Sequence, residues 1–211
     1  MGKKRILNYL NLYKSFGIEY CEPINLDKKF IINHELPNTI ENLDSYVQHC
    51  SLCELSKNCN MRSLGTGNIH SNIYIVGINS DFTDEHINTV LKNIVQNVLE
   101  YKLEDVYLTN LIKCNIKSIN KSINENINLC KEYFIKQIDI IKPKYIITLG
   151  EAFNYLMENN QEISNISGNS YNYNDSKLLP LMDLEFIYKN PSYKQDMYKD
   201  LQKIKLLMEK E

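Results

Sequence analysis

Short apolar runs that alternate with helical segments are the feature that most constrains the fold of this chain. Four runs typical of strands lie at residues 73–77, 106–109, 145–149 and within 178–188. Between them the apolar residues follow helical spacing, as in residues 84–100. Strands that alternate with helices predict a parallel sheet covered on both faces. We therefore expect a three-layer α/β/α fold with a four-stranded parallel sheet, in which ligands bind beyond the C-terminal strand ends.

The first forty residues are predicted to form an N-terminal helical extension. An amphipathic helix is indicated near the N-terminus, and Pro23 and Pro37 mark the linker that follows it. We place the boundary near residue 40. This gives an N-terminal helix and linker over residues 1–40 and a single domain over residues 41–211.

Composition and charge narrow the classes of function. The chain has 211 residues, of which 43% are hydrophobic and 24% charged, as in soluble globular proteins. It contains no apolar run long enough for a membrane span. Its N-terminal apolar positions are interrupted, unlike those of a signal peptide, so we expect a cytoplasmic location. A net charge of −2 argues against a strong non-specific nucleic-acid binder, which would usually be basic, but it allows a local basic groove.

Four of the six cysteines have the spacing of a metal site. Cys50 and Cys53 form a C-x2-C pair, Cys114 follows a strand-like run, and Cys130 comes after a gap of fifteen residues. Two intervening residues let both thiolates of the pair face one metal centre from a single turn. In a reducing compartment such cysteines indicate metal binding rather than disulfides. An iron–sulfur cluster and a structural zinc both fit four thiolates, and the residues alone do not choose between them.

Taken in order, these motifs resemble the iron–sulfur uracil-DNA glycosylases of the family 4 type. The resemblance covers residues 50–204 and is carried by segments 50–57, 65–68, 73–77, 106–114, 143–150 and 189–201, together with Cys130. It implies a uracil-DNA glycosylase-like fold and a DNA base-excision repair protein, active as a monomer on DNA. It also implies a 4Fe–4S cluster on Cys50, Cys53, Cys114 and Cys130, with zinc as the alternative occupant. Cys59 stands where many family members carry Arg and is not expected to be a ligand.

The resemblance also implies a pocket for a base flipped out of the duplex. Asn110 matches the Asn whose amide reads the uracil edge, a task that suits a group with both a donor and an acceptor. The alternative for Asn110 is a turn residue that closes the second strand. Gly77 begins the first catalytic motif at the end of the first strand. Phe82 is the nearby aromatic candidate for stacking on the base, although a loop Phe more often packs against the sheet.

Both catalytic motifs depart from the pattern of the family. The Gly-Glu-Ala-Pro-Gly motif is replaced by Gly-Ile-Asn-Ser-Asp at residues 77–81, so that Ile78 stands in place of the water-orienting Glu. Gly-Ile-Asn resembles the mismatch-specific uracil glycosylases, in which the Asn positions the attacking water; the alternative for Asn79 is a loop residue that caps the next helix. The flanks of the second motif place Asp183 at the position of the family's His. The Asn-Pro-Ser at residues 190–192 is then only the cap of the last helix, as its Ser192-x-x-Gln195 pattern indicates.

These departures leave more than one hypothesis open. The family's His stabilises the departing uracil anion, whereas an ionised Asp183 would repel it unless burial kept the carboxyl protonated. In a divergent glycosylase, Asn79 and Asp183 are the catalytic candidates and the base is uracil or another damaged base. In the alternative, the chain is a catalytically inactive iron–sulfur relative that binds DNA or a protein partner. Its candidate groove residues are Lys113, Lys117, Lys121, Lys189 and Lys194.

Overall fold

Six strands form one mixed sheet in the computed structural model, which describes residues 36–59, 61–116 and 123–209. The strands are β1 (Thr66–Gly67), β2 (Ile73–Gly77), β3 (Tyr107–Asn110), β4 (Tyr145–Leu149), β5 (Tyr171–Tyr173) and β6 (Ser176–Leu181). Their order across the sheet is β1-β3-β2-β4-β6-β5. The four central strands are parallel, and β1 and β5 pair with them in the antiparallel direction.

The predicted four-stranded sheet is therefore corrected to a parallel core with two antiparallel edge strands. Both edge strands are short, and β1 is exposed at both of its positions. β5 is joined to β6 by a tight hairpin in which Asn174 takes a positive φ of 50°, a conformation that Asn tolerates better than most residues. Neither edge strand contains the apolar run from which the central strands were predicted. The α/β class is confirmed.

The described part of the chain contains seven α-helices. They are α1 (Ile40–Gln48), α2 (Glu85–Lys92), α3 (Ile123–Ile141), α4 (Ala152–Met157), α5 (Ile163–Ile166), α6 (Leu184–Lys189) and α7 (Lys194–Glu209). A π-helical turn, Asn93–Val98, extends α2, and a 3-10 turn, Pro191–Tyr193, leads into α7. None of the described helices has the length and hydropathy needed to cross a membrane.

Alternate residues of β2 show how the sheet is buried on both faces. Ile73 and Ile75 belong to one core cluster, which includes apolar residues of α2, α6 and α7. Tyr74 and Val76 belong to another, which includes apolar residues of α3, α4 and α5. Successive side chains of a strand point to opposite faces, so these clusters are the two layers of a three-layer fold.

The N-terminal prediction falls largely outside the described residues. Residues 1–35, which hold the predicted helix, are not described, and the domain boundary near residue 40 stays a prediction. Within the described chain, α1 packs through Leu43 and Val47 in a third cluster that includes Cys130 and Tyr133 of α3. This packing brings the end of α1, where Cys50 lies, next to α3.

Candidate functional site

The C-terminal ends of β2 and β3 lie side by side and continue their pairing into the loops. Gly77 is the register partner of Asn110. Beyond the strands, the Leu111 N–H donates to the Gly77 carbonyl at 2.8 Å, and the Ile112 N–H donates to the Ile78 carbonyl at 3.0 Å. The loop that begins at Gly77 and the candidate base-reading residue Asn110 therefore meet at the C-terminal ends of β2 and β3, where the sequence predicts a ligand site.

The side-chain amide of Asn110 binds the backbone of Ser80 through both of its functions. Asn110 Oδ1 accepts from the Ser80 N–H at 2.8 Å, and Asn110 Nδ2 donates to the Ser80 carbonyl at 2.9 Å. Asn110 is half-buried at the end of β3. The Asn110 amide thus holds the loop of residues 77–81 against the end of β3, and its role in reading a base stays a prediction.

Gly77 is required by the close approach of this loop. A β-carbon on Gly77 would lie 2.1 Å from Ser80 Oγ and 2.8 Å from Asn110 Oδ1. Real side chains do not tolerate the first of these distances, so only glycine fits without movement of the loop. Nothing in the sequence pattern pointed to Ser80, because its contact is made through the backbone rather than through its hydroxyl.

Asn79 and Phe82 lie in the same loop and have different contacts. Asn79 Nδ2 donates to the Ile116 carbonyl at 2.9 Å, which ties the loop after β2 to the loop after β3. The helix cap suggested as its alternative role is provided instead by Asp84, whose carboxylate accepts from two N–H groups at the start of α2. Phe82 is partly buried against the core cluster beneath α2. Its stacking on a base stays a prediction.

Asp183 is the N-cap residue of α6 and lies at the C-terminal end of the parallel strands. Its Oδ1 accepts from the Glu185 N–H at 2.9 Å and from the Phe186 N–H at 3.1 Å. Gly150, at the end of β4, has a φ of +54°, and a β-carbon there would lie 3.1 Å from the Asp183 β-carbon. The carboxylate is therefore beside the ends of β4 and β6, held by a capping interaction.

The Asn-Pro-Ser segment at residues 190–192 joins the last two helices. Asn190 Nδ2 donates to the Phe186 carbonyl at 2.9 Å, which satisfies a carbonyl at the end of α6. Pro191 begins the 3-10 turn that leads into α7, a position where its missing N–H costs nothing. The segment therefore forms the junction between two helices as a 3-10 turn without a side-chain cap bond, rather than the predicted cap of the last helix.

Five cysteines in the described part of the chain are free thiols, and they include the four candidate ligands. Cys114 and Cys130 are buried, whereas Cys50, Cys53 and Cys59 are half-buried. The Lys113 N–H donates to Cys130 Sγ at 3.2 Å, and Cys50 Sγ accepts from the Leu52 N–H at 3.4 Å and from the Tyr133 hydroxyl at 3.3 Å. Donors directed at sulfur stabilise thiolates and are a regular part of iron–sulfur sites.

Burial is the main influence on the ionisation of the two buried candidate thiols, and neighbouring thiols contribute less. Burial is the largest cause that raises the pKa of Cys114; a hydrogen bond with Cys59 and the charges of Cys130 and Cys53 act in the same direction. Burial also raises the pKa of Cys130 to about 11, with smaller contributions from Cys50 and Cys53. Across the described residues, however, no three His, Cys, Asp or Glu side chains are arranged to hold a metal ion. The four candidate residues are free thiols, and their donor chemistry fits a thiolate-bound centre.

Lys113 does not line a surface groove, so that part of the binding hypothesis is wrong. Its side chain is 4% exposed. Its Nζ donates to the Leu64 carbonyl at 3.2 Å, Thr109 Oγ1 at 2.8 Å and Gln137 Oε1 at 3.2 Å. Burial lowers its pKa to about 7. Of the other candidate lysines, 117 and 121 lie outside the described residues, and Lys189 forms a 2.6 Å ion pair with Glu185.

Comparison with known proteins finds type-4 uracil-DNA glycosylases among the relatives of this chain. The chain is 27% identical to the one from Saccharolobus solfataricus, over 79% of this chain and 86% of that protein. It is 24% identical to the one from Thermotoga maritima, over 82% of this chain and 96% of that protein. For the one from Sulfurisphaera tokodaii the identity is 28%, and the match spans 56% of this chain and 58% of the relative's length.

The family profile described as the uracil DNA glycosylase superfamily matches residues 64–202, well over half of the chain. This range includes β2, β3, β4 and β6 and the loops at their C-terminal ends, where Asn79, Asn110 and Asp183 lie. The chain therefore belongs to the uracil DNA glycosylase superfamily, as a relative of its type-4 enzymes.

Proposed function

We propose that this chain is a base-excision repair glycosylase that hydrolyses the N-glycosidic bond of a uracil, or a related damaged base, flipped out of DNA. The observation that carries the proposal is the position of Asn110 at the C-terminal end of β3, beside the loop of Gly77 and Asn79, with an amide that has both a donor and an acceptor and is bonded to Ser80 in this structure. The type-4 relatives, which are named as uracil-DNA glycosylases, support it.

In the proposed reaction, water adds to the sugar carbon as its bond to the base nitrogen breaks. The electron pair of that bond leaves with the base, and the proton lost by water neutralises the base anion. Asn110 reads the base edge. The amide oxygen of Asn79 accepts a hydrogen bond from the attacking water, while its Nδ2 is held by the Ile116 carbonyl at 2.9 Å.

Asp183 makes the product side of this site unfavourable for an anion. Its carboxylate lies beside the strand ends, where a hydrogen-bond donor would stabilise the departing base. Loss of such a donor typically slows catalysis by about 10²–10³-fold. We therefore expect excision by this chain to be slow.

We further propose that Cys50, Cys53, Cys114 and Cys130 hold a 4Fe–4S cluster. Such a centre would link the end of α1, the segment after β3 and α3, and its contribution would be structural. The free thiols of these residues and the N–H groups directed at two of their sulfurs support the assignment, and zinc is the alternative occupant. The monomeric state and cytoplasmic location stay predictions from the sequence.

A second candidate function is that of an inactive relative that binds DNA or a protein partner. Two observations favour it: Asp183 serves as a helix cap, and the Asn110 amide is engaged by Ser80. Both residues thus have structural roles, so their presence in the chain does not require a catalytic role.

A cleavage assay separates the two functions. Fluorescent oligonucleotides with one uracil opposite guanine, opposite adenine or in a single strand are incubated with excess protein, and abasic sites are revealed by alkali. We expect slow cleavage of uracil substrates, none of matched thymine substrates, and at least a tenfold loss in Asn110→Ala. Asn97→Ala, which alters an exposed Asn outside the strand-end loops, should behave like the unmodified protein. If none of the substrates gives abasic product, the chain is not a uracil glycosylase.

A further inference from the structure

Asn110 uses for Ser80 the same two atoms that it would need for a base. The Watson–Crick edge of uracil presents an N–H next to a carbonyl. Ser80 presents its own N–H and carbonyl, at 2.8 Å and 2.9 Å, to Oδ1 and Nδ2 of Asn110. Because both atoms of the amide bind one residue, Ser80 occupies the amide edge that a base would pair with.

The position of Ser80 is supported on several sides. Gly77 leaves room for the Ser80 side chain, which a β-carbon at residue 77 would displace. The loop just before Ser80 is fixed by the Ile112 N–H to Ile78 carbonyl bond of 3.0 Å and by Asn79 Nδ2 on the Ile116 carbonyl. On the other side, Asp81 accepts from the N–H and hydroxyl of Thr83. The contact is therefore built into the loop.

We propose that Ser80 is a gate, whose backbone occupies the base-reading edge of Asn110 when DNA is absent and must leave before a base is bound. The inference rests on the proposed function and adds a regulatory step to the same site. A base and Ser80 compete for one amide edge, so the apparent affinity for a base is reduced by the fraction of molecules in which the gate is open.

The test compares Ser80→Pro with Ser80→Ala. Proline has no N–H and removes one of the two bonds to Asn110, whereas alanine keeps both backbone groups and reports the loss of the hydroxyl alone. Affinity is measured for a single-stranded oligonucleotide carrying one fluorinated deoxyuridine that resists cleavage, and for its thymidine counterpart. Thymine has the same Watson–Crick edge as uracil, so a site specific for uracil must exclude its 5-methyl group, and thymidine reports binding without entry into the site. Relative to Ser80→Ala, we expect Ser80→Pro to bind the deoxyuridine oligonucleotide roughly tenfold more tightly, with little change for the thymidine one.

A second measurement follows the gate in the unmodified protein. Amide hydrogen exchange of Ser80, read by NMR, should be slow in the free protein and fast in Asn110→Ala. Saturation with the deoxyuridine oligonucleotide should also accelerate it at least tenfold, whereas the thymidine oligonucleotide should not.

The outcomes distinguish this inference from the proposed function. If the protein prefers deoxyuridine but Ser80 stays protected at saturation, or Ser80→Pro binds no more tightly than Ser80→Ala, the gate is refuted and the proposed function stands. If neither the unmodified protein nor Ser80→Pro prefers deoxyuridine over thymidine, both are refuted. A preference that is gained only in Ser80→Pro supports the gate most strongly.

Discussion

Asp183, a predicted catalytic residue, has a structural role in the described fold. Its carboxylate accepts from the N–H groups of Glu185 and Phe186 and caps α6. We predict that Asp183→Ala lowers the free energy of unfolding by about 1 kcal/mol, while Asp183→Asn, an equally good N-cap, keeps it within about 0.5 kcal/mol. Urea denaturation measures both. Equal stability of the alanine and unmodified proteins would show that the cap contributes nothing.

The same pair of variants reports on chemistry. Asparagine removes the negative charge but keeps the cap, so Asp183→Asn should excise uracil faster than the unmodified protein if the carboxylate repels the departing anion. The rate under single-turnover conditions is the measurement. A rate that falls in Asp183→Asn would instead show that the carboxylate takes a positive part in catalysis.

Lys113 is a buried residue whose structural role the sequence did not indicate. A lysine after a strand was assigned to a surface groove, yet its Nζ satisfies three acceptors in the interior. We predict that Lys113→Ala lowers the free energy of unfolding by about 3 kcal/mol, because it leaves a cavity and unsatisfied buried acceptors. Lys199→Ala, which breaks an exposed ion pair with Asp196, should change it by less than about 1 kcal/mol. Similar losses in the two variants would contradict this account.

At the scale of elements, the loop after β2 depends on Gly77. Gly77→Ala would place its β-carbon 2.1 Å from Ser80 Oγ and should cost about 1–3 kcal/mol of stability through overpacking. Ser80→Gly removes the opposing side chain, so Gly77→Ala with Ser80→Gly should lose less than the sum of the two single variants. A double-mutant cycle from denaturation curves measures this coupling. Additive losses would mean that the two residues are not in conflict.

The sequence predicted best those elements whose pattern is local. Apolar runs at residues 73–77 and 145–149 match β2 and β4. β5 has no such run, and it is a strand through its antiparallel pairing with β6. The fourth run was predicted within residues 178–188, but the strand ends at Leu181 and Asp183 begins α6, because its side chain captures two N–H groups there.

The sequence predicted that the candidate site residues lie close together, but it did not predict which groups they contact. That Asn79, Asn110 and Asp183 share one sheet edge follows from parallel strands, whose carboxyl ends lie together. The bond between Asn110 and Ser80 joins residues thirty positions apart and involves the backbone of Ser80. A sequence pattern carries no signal for such a contact, so the bonds between the Asn110 amide and Ser80 were visible only in the structure.

At the scale of the whole molecule, the thiols come from segments that are distant in sequence. Cys50 follows α1, Cys114 pairs opposite Arg62 in an isolated bridge, and Cys130 lies on α3. A metal bound by all of them contributes its binding energy to folding. We predict that Cys130→Ser loses the metal and melts more than about 5 °C below the unmodified protein. Cys59→Ser should keep the metal, since Cys59 is not among the four assigned ligands.

The most direct test of the account is the iron and acid-labile sulfide content of anaerobically purified protein, together with its visible absorbance. The account predicts about four iron and four sulfide per chain, broad absorbance that bleaches on reduction, and loss of both elements in Cys130→Ser but not in Cys59→Ser. Protein that remains colourless and free of iron after anaerobic reconstitution, or that keeps its iron in Cys130→Ser, would contradict it.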